Sequence, residues 1–296
     1  MEAKKDMQWI SDEWKDYEVL DTTDGYRLES WNGKILVRPD PQVIWYTPKA
    51  DPRWNKYDAK YLRSNTGGGH WDIRNLPESW QISYKDYLTF NVKPMNFKHT
   101  GVFPEQAANW DYIREKCANA GRPVRVLNMF AYSGGATLAA AAGGAEVWHV
   151  DAAKGMVAMA KENARASGLA DRPIHWIVDD CGKFIQREIR RGRKYDGIIM
   201  DPPSYGRGPS GEIWKMERDF YGFLKTVLEI LSDNPLFVII NSYTTGLAPS
   251  AVGYIADSVF GPRYGGYTRC GELGLPVKSS GLMLPCGAAG RWEPGK

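Results

Sequence analysis

The chain has 296 residues, of which 43% are hydrophobic and 25% charged, and 38 Lys and Arg against 35 Asp and Glu leave a formal net charge of +3. That balance excludes global disorder and allows one or two domains with a substantial core. No apolar run approaches the roughly 20 residues of a membrane span, and four cysteines without a CxxC pair beside four scattered histidines predict no metal, no disulfide framework, no membrane partner and a cytoplasmic location.

Up to about residue 95 the chain is rich in Trp, Tyr and Pro and poor in helical periodicity. Tyr26–Trp31 alternates, Asn32-Gly33 makes a turn, and Lys34–Arg38 resumes as a strand, which predicts a hairpin. Residues 81–92 read as a second extended pair. A small β-rich domain over 1–95 is expected. Its tryptophans read either as base-stacking platforms or as staples of a small sheet. The polar, aromatic loop 97–106 could lie across a pocket as a lid.

From about residue 120 strands and helices alternate. Strands are predicted over 124–130, 146–151, 174–178, 195–200 and 236–241, and helices over 136–142, 154–167, 182–191 and 215–231. Short continuous apolar strands between helices predict a parallel sheet covered on both faces. Two strands from Tyr264 to Trp292 would complete it with an antiparallel edge. This second domain is expected over 96–296.

In such a sheet, ligands gather beyond the carboxyl ends of the strands. Ser133-Gly134-Gly135 follows the first strand and permits close backbone approach, yet it matches neither G-x-G-x-x-G nor a P-loop. Asp151 ends the second strand, where a carboxylate can accept from a ribose diol or serve as an ordinary helix cap. Asp179-Asp180 ends the third; one carboxylate could take a purine amino group while the other caps the next helix. Asp201-Pro202-Pro203-Ser204-Tyr205 follows the fourth, and two prolines hold its carboxylate and aromatic ring at fixed positions. Tyr243 lies on the same rim after the fifth strand. The basic run 183–194, with Arg187, Arg190 and Arg191, reads either as a solvated helix face or, with Arg207, as a phosphate-binding surface.

These motifs resemble the class I S-adenosylmethionine-dependent methyltransferases, and more closely the bacterial family that includes 23S ribosomal RNA methyltransferases acting at cytosine C5 or guanine N7. The resemblance spans roughly Phe97 to Asn241. It implies a Rossmann-like, mostly parallel seven-stranded sheet and S-adenosyl-L-methionine as cofactor. Phe130, Ala131, Tyr132, Ser133 and Gly134 match the loop that cradles the methionine part, and Asp151 matches the ribose acid. Asp179 and Asp180 match the adenine flank. Lys98 and Thr100 match the segment just before the domain, and Asp201, Pro202 and Pro203 the catalytic-face motif.

The chain departs from this family in three ways. Its N-terminal region does not resemble the compact RNA-binding module of the C5 members. Asn241-Ser242-Tyr243 carries no cysteine where a C5 enzyme needs its nucleophile. Tyr205 stands one residue later than in the acid-Pro-Pro-Tyr motif of base-amino methyltransferases. Methylation of a ring or exocyclic nitrogen in ribosomal RNA is therefore expected, with Asp201 or the Pro202 carbonyl orienting the acceptor and Tyr205 stacking on it. The alternatives are the same fold acting on a small molecule or protein side chain, or a non-catalytic RNA-binding relative.

Overall fold

A computed structural model of the chain describes residues 7–64, 68–207 and 213–295. It divides into two compact units. One comprises Ile10–Ala107 and Gly274–Cys286; the other takes the chain up to Trp9, then Ala108–Leu273 and Gly287–Lys296. The boundary expected at 95/96 thus falls inside the first unit, which also takes back a segment near the C-terminus.

After β1 (Met7–Ile10), which joins the large sheet below, the N-terminal unit builds a five-stranded sheet. Its strands lie in chain order: β2 (Tyr17–Thr23), β3 (Tyr26–Trp31), β4 (Lys34–Pro39), β5 (Ala59–Arg63) and β6 (Gly69–Ile73). A separate hairpin pairs β7 (Trp80–Tyr84) with β8 (Leu88–Val92). The β3–β4 hairpin forms as predicted: Trp31 pairs with Lys34, and Asn32 and Gly33 take φ of 49° and 77°. Two consecutive left-handed residues match the twist of the strands, and Asn-Gly adopts that pair at low cost. Leu20, Leu28, Val37 and Trp54 pack into one cluster.

Of the two readings of the tryptophans, stapling is what the structure supports. The indole N–H groups of Trp14, Trp45, Trp71 and Trp80 donate to the carbonyls of Pro104, Thr22, Met95 and Trp31, and that of Trp54 to the Asp21 carboxylate. Beside them Glu29 is fully buried. It accepts from Arg38 through two bonds (2.5 and 2.7 Å) and from the Tyr17 hydroxyl at 2.7 Å, with Arg27 at 3.3 Å.

The second unit opens with α1 (Ala107–Ala118). Three strand–helix alternations and a fourth strand follow: β9 (Arg125–Met129) and α2 (Gly135–Ala142), β10 (Glu146–Asp151) and α3 (Lys154–Ala166), β11 (Ile174–Val178) and α4 (Cys181–Arg191), then β12 (Gly197–Met200). A small hairpin of β13 (Tyr205–Arg207) and β14 (Ile213–Lys215) leads into α5 (Met216–Leu228) and β15 (Phe237–Ser242). The unit closes with α6 (Pro249–Tyr264), β16 (Tyr267–Pro276) and β17 (Met283–Glu293).

The sheet order is β1-β16-β17-β15-β12-β9-β10-β11, with β9 to β12 and β15 parallel and β17 antiparallel to β15. It is the expected α/β architecture with one correction: β1 adds an eighth strand at the edge. The order reverses at β9, which lies between β10 and β12, and open α/β sheets take their ligands in the crevice beyond the carboxyl ends at such a reversal.

Candidate active site

Five strand ends meet around that crevice. After β9 the chain passes through Phe130, Tyr132 and Gly134 with φ of 54°, 50° and 93°. A left-handed aromatic residue is strained and persists only where its surroundings over-determine it. Here the amides are tied down. Phe130 N–H donates to Cys181 Sγ at 3.3 Å, Ala131 N–H to the Val150 carbonyl at 3.1 Å, and Tyr132 N–H to Asp151 Oδ2 at 2.8 Å.

The two glycines are explained by packing within the chain. A Cβ on Gly134 would lie 3.0 Å from Cβ of Ala160, and one on Gly135 would lie 2.6 Å from the Trp110 ring. On the side where a Cβ would project, Gly134 faces α3 and Gly135 faces α1.

Beneath this loop runs a polar chain that the sequence reading missed. Asn128 Nδ2 donates to Thr137 Oγ1 at 2.9 Å, and Thr137 Oγ1 lies 2.9 Å from His149 Nδ1. The Thr137 hydroxyl accepts from Asn128 and shares a second hydrogen bond with the His149 ring. Burial pushes the His149 pKa down to about 3, so the ring is neutral. Asn163 Nδ2 holds the Ser133 carbonyl at 2.9 Å. A signal existed: Asn128 and His149 each stand between apolar residues within a strand.

Asp151 Oδ1 accepts from Ala153 N–H at 2.8 Å, so both its oxygens hold backbone around the crevice. With two bonds made, the carboxylate retains further acceptor positions. Asp180 is the N-cap of α4, its Oδ1 accepting from Lys183 N–H at 2.8 Å. Asp179 accepts from Asp180 N–H at 2.9 Å and forms an ion pair with Arg187. Cys181 is buried, and burial raises its thiol to about 12.

The Asp201–Tyr205 loop is fastened from outside, since Pro202 and Pro203 have no N–H to offer. Trp214 Nε1 donates to the Pro203 carbonyl at 2.6 Å, Met216 N–H to the Ser204 carbonyl at 3.1 Å, and Ser204 Oγ lies 2.8 Å from Thr244 Oγ1. Pro202 is buried, whereas the Tyr205 ring is half exposed. Tyr243 packs its ring against Gly287, where a Cβ would come within 2.6 Å. Behind β15, Asn241 Oδ1 accepts from Asn109, which accepts from the buried Arg291 at 2.8 Å; Asn109 and Arg291 also went unread.

A family model described as S-adenosylmethionine-dependent methyltransferase matches residues 57–249. A crystal structure of such a methyltransferase from Agrobacterium tumefaciens is 36% identical. It superposes with a TM-score of 0.90 over 98% of this chain and 94% of that one. The chain belongs to the S-adenosylmethionine-dependent methyltransferase family. SMU.776, a putative methyltransferase complexed with SAH, shares the fold at 21% identity and a TM-score of 0.72, over 95% of this chain and 76% of its own. The ribosomal RNA large subunit methyltransferase K/L of Shewanella sp. (strain MR-4) is 30% identical over 156 residues, 52% of this chain. The chain spans 21% of that relative's length.

The protein is thus a methyltransferase enzyme with S-adenosylmethionine as its cofactor, and the strand-end crevice is the site to consider for it. Two of the cofactor residues expected from the sequence, Lys98 and Thr100, belong to the N-terminal unit. Lys98 Nζ donates to the Pro39 carbonyl at 3.1 Å, and burial together with Arg27 lowers its pKa to about 8. Thr100 is fully buried, and its carbonyl accepts from Lys93 N–H.

The expected phosphate-binding arginines divide. Arg187 is paired with Asp179, and Arg191 is paired with the buried Glu188 at 2.9 Å, which also takes Arg193 at 3.0 Å. Arg190 is exposed. The side chain of Arg207 lies outside the described residues. Among the described residues no group of three or more His, Cys, Asp or Glu could hold a metal, and no helix is long and apolar enough to cross a membrane.

Proposed function

We propose that this methyltransferase acts in the cytoplasm and methylates a base nitrogen in RNA, ribosomal RNA being the class its curated relatives are named for. One observation carries the reading. At the strand-order reversal, a diproline loop holds a carboxylate and a half-exposed aromatic ring on a frame pinned at three points. A planar acceptor needs those parts: a ring to stack on and an acceptor oxygen to turn its nitrogen lone pair.

In this reading the backbone of Phe130–Gly134 receives the methionine part of the cofactor. Asp151 offers its remaining acceptor positions to the ribose hydroxyls, and Asp179 and Asp180 flank the adenine. The chemistry of these groups fits, because a carboxylate that already holds two amides is preorganised to accept from a diol. When bound, S-adenosylmethionine supplies an electrophilic methyl group on a sulfonium.

The protein's own task is alignment and exclusion of water. Asp201 or the Pro202 carbonyl accepts an N–H bond from the acceptor, and Tyr205 stacks on its face. No thiolate takes part, which agrees with Cys181 being held protonated by burial at neutral pH. The N-terminal unit, Tyr243 and the arginines of α4 and β13 would then meet the rest of the RNA.

A specific observation favours a second reading. Arg187 and Arg191 already have carboxylate partners, which leaves less positive surface for phosphate than the run 183–194 promised. A small planar amine would need none. The deciding experiment incubates total RNA from cells lacking this gene with the enzyme and cofactor carrying a deuterated methyl group, then weighs the digested nucleosides. A deuterated methyl on a base nitrogen is expected; RNA without label overturns the RNA reading.

A further inference from the structure

Three aromatic rings beside the rim have no part in the reaction as described. Trp214, on β14, donates its indole N–H to Pro203, and its ring meets Phe223 of α5 edge-on, with centroids 5.5 Å apart and planes at 80°. Phe223 in turn meets Phe130, with centroids 6.0 Å apart. Phe130 is the strained first residue of the loop after β9. One hydrogen bond and three rings therefore join the loop after β9 to the loop after β12, all within one unit.

Of the fastenings described above for the Asp201–Tyr205 loop, the indole continues through Phe223 to the loop after the neighbouring strand β9. Met216 holds Ser204 through its backbone, and Thr244 holds it from the loop after β15. All three rings are partly buried and packed against the core of the unit, so a shift at Phe130 would reach Pro203 through them.

We infer that Trp214 and Phe223 are positioning residues that couple cofactor occupancy at the Phe130 loop to alignment of the Asp201–Tyr205 loop. The acceptor loop is then in register when the cofactor loop is filled, and is looser otherwise. This rests on the reading of Asp201–Tyr205 as the acceptor loop. Coupling is reciprocal, so whatever factor the cofactor confers on the loop, a seated loop confers on cofactor affinity.

The test is amide hydrogen exchange on the full chain, with and without SAH, read on a peptide spanning 201–207. In the wild type SAH should slow exchange there by about fivefold or more, the lower end of ordinary coupling. Phe223→Leu keeps apolar bulk without the ring, and Trp214→Phe keeps a ring without the donor. Each should cut the slowing to under about twofold, while SAH affinity by calorimetry falls by no more than the factor lost. Phe223→Tyr restores the ring and should restore the slowing.

A folded Phe223→Leu or Trp214→Phe protein that keeps the full slowing overturns the inference, as does a wild type without any. Should one of them not fold, the other carries the test. The acceptor-loop reading is judged separately, by methyl transfer in Asp201→Asn.

Discussion

In the N-terminal unit the charges are inside: Glu29 is buried among Arg27, Arg38 and Tyr17, and five indoles tie strands and loops together. In the sheet unit the central strands are largely apolar and, apart from the buried Glu188 and Arg291, carboxylates gather where strands end, at Asp151, Asp179, Asp180 and Asp201. A buried ion pair is costly to break, because the partner left behind is unpaired and dry. A carboxylate on a crevice rim keeps solvent and can lend its free positions to a ligand. Substitutions in the first region should therefore register as lost stability, and those on the rim as lost binding or chemistry.

The largest effect is expected at Glu29. Burial alone would raise its carboxyl, yet Arg27 and Arg38 beside it, helped by the Tyr17 hydroxyl, hold it down at about 2. Its stabilisation is present above the unfolded value and is lost as pH falls from about 4.5 toward 2. Glu29→Ala should cost about 3–5 kcal/mol in urea unfolding and leave SAH affinity of the folded protein unchanged. A variant as stable as the wild type would break the contrast between the two regions.

On the rim, Asp201→Asn should cut single-turnover methyl transfer by about ten- to a thousandfold, the span from one aligned hydrogen bond to general-base assistance. Its SAH affinity should stay within about threefold, since the cofactor is held elsewhere. Equal losses in both assays would mean that Asp201 serves the cofactor.

His149 sharpens the comparison, being a buried polar group in the apolar unit. Its folded pKa, lowered by burial to about 3, lies below the unfolded value of 6.5. The unfolded chain binds the proton first, so stability is full above pH 6.5 and falls as pH drops toward 3. Between pH 6.5 and 5 this residue should account for about 2 kcal/mol of lost stability. His149→Gln should remove that share, as read by urea unfolding at the two pH values; an unaltered pH slope would contradict it.

The smallest effect concerns RNA. Arg190 and Arg191 are both exposed, but Arg191 is tied to Glu188. Arg190→Glu should flatten the slope of log affinity for ribosomal RNA fragments against log salt by about one unit, measured by fluorescence anisotropy. A wild-type slope near zero would favour the small-acceptor reading.

Much of this was legible in the sequence because the strands are short, apolar and punctuated. β10 and β11 are read to the residue, and the Asn32-Gly33 turn is placed. Two helices were not read. In α1 the inward positions Trp110 and Ile113 are interrupted by Asn109, buried to serve Asn241 and Arg291, so no apolar stripe shows. In α6 Gly253, Gly261 and Pro262 are weak helix formers, and Gly253 is there because a Cβ would strike Cys270.

The rim motifs announced themselves by residue type at the strand ends. Their partners did not, since pairing Arg187 with Asp179 takes a turn of chain that spacing alone does not fold. For the same reason the basic run looked more open to phosphate than it is.

The division of labour rests most directly on Asp151, a rim carboxylate that holds two amides and has acceptor positions to spare. Titration calorimetry of Asp151→Ala with SAH measures it. Loss of a charge-assisted pair worth about 1.5–3 kcal/mol predicts an affinity lower by about ten- to a hundredfold. Affinity equal to the wild type would contradict the account.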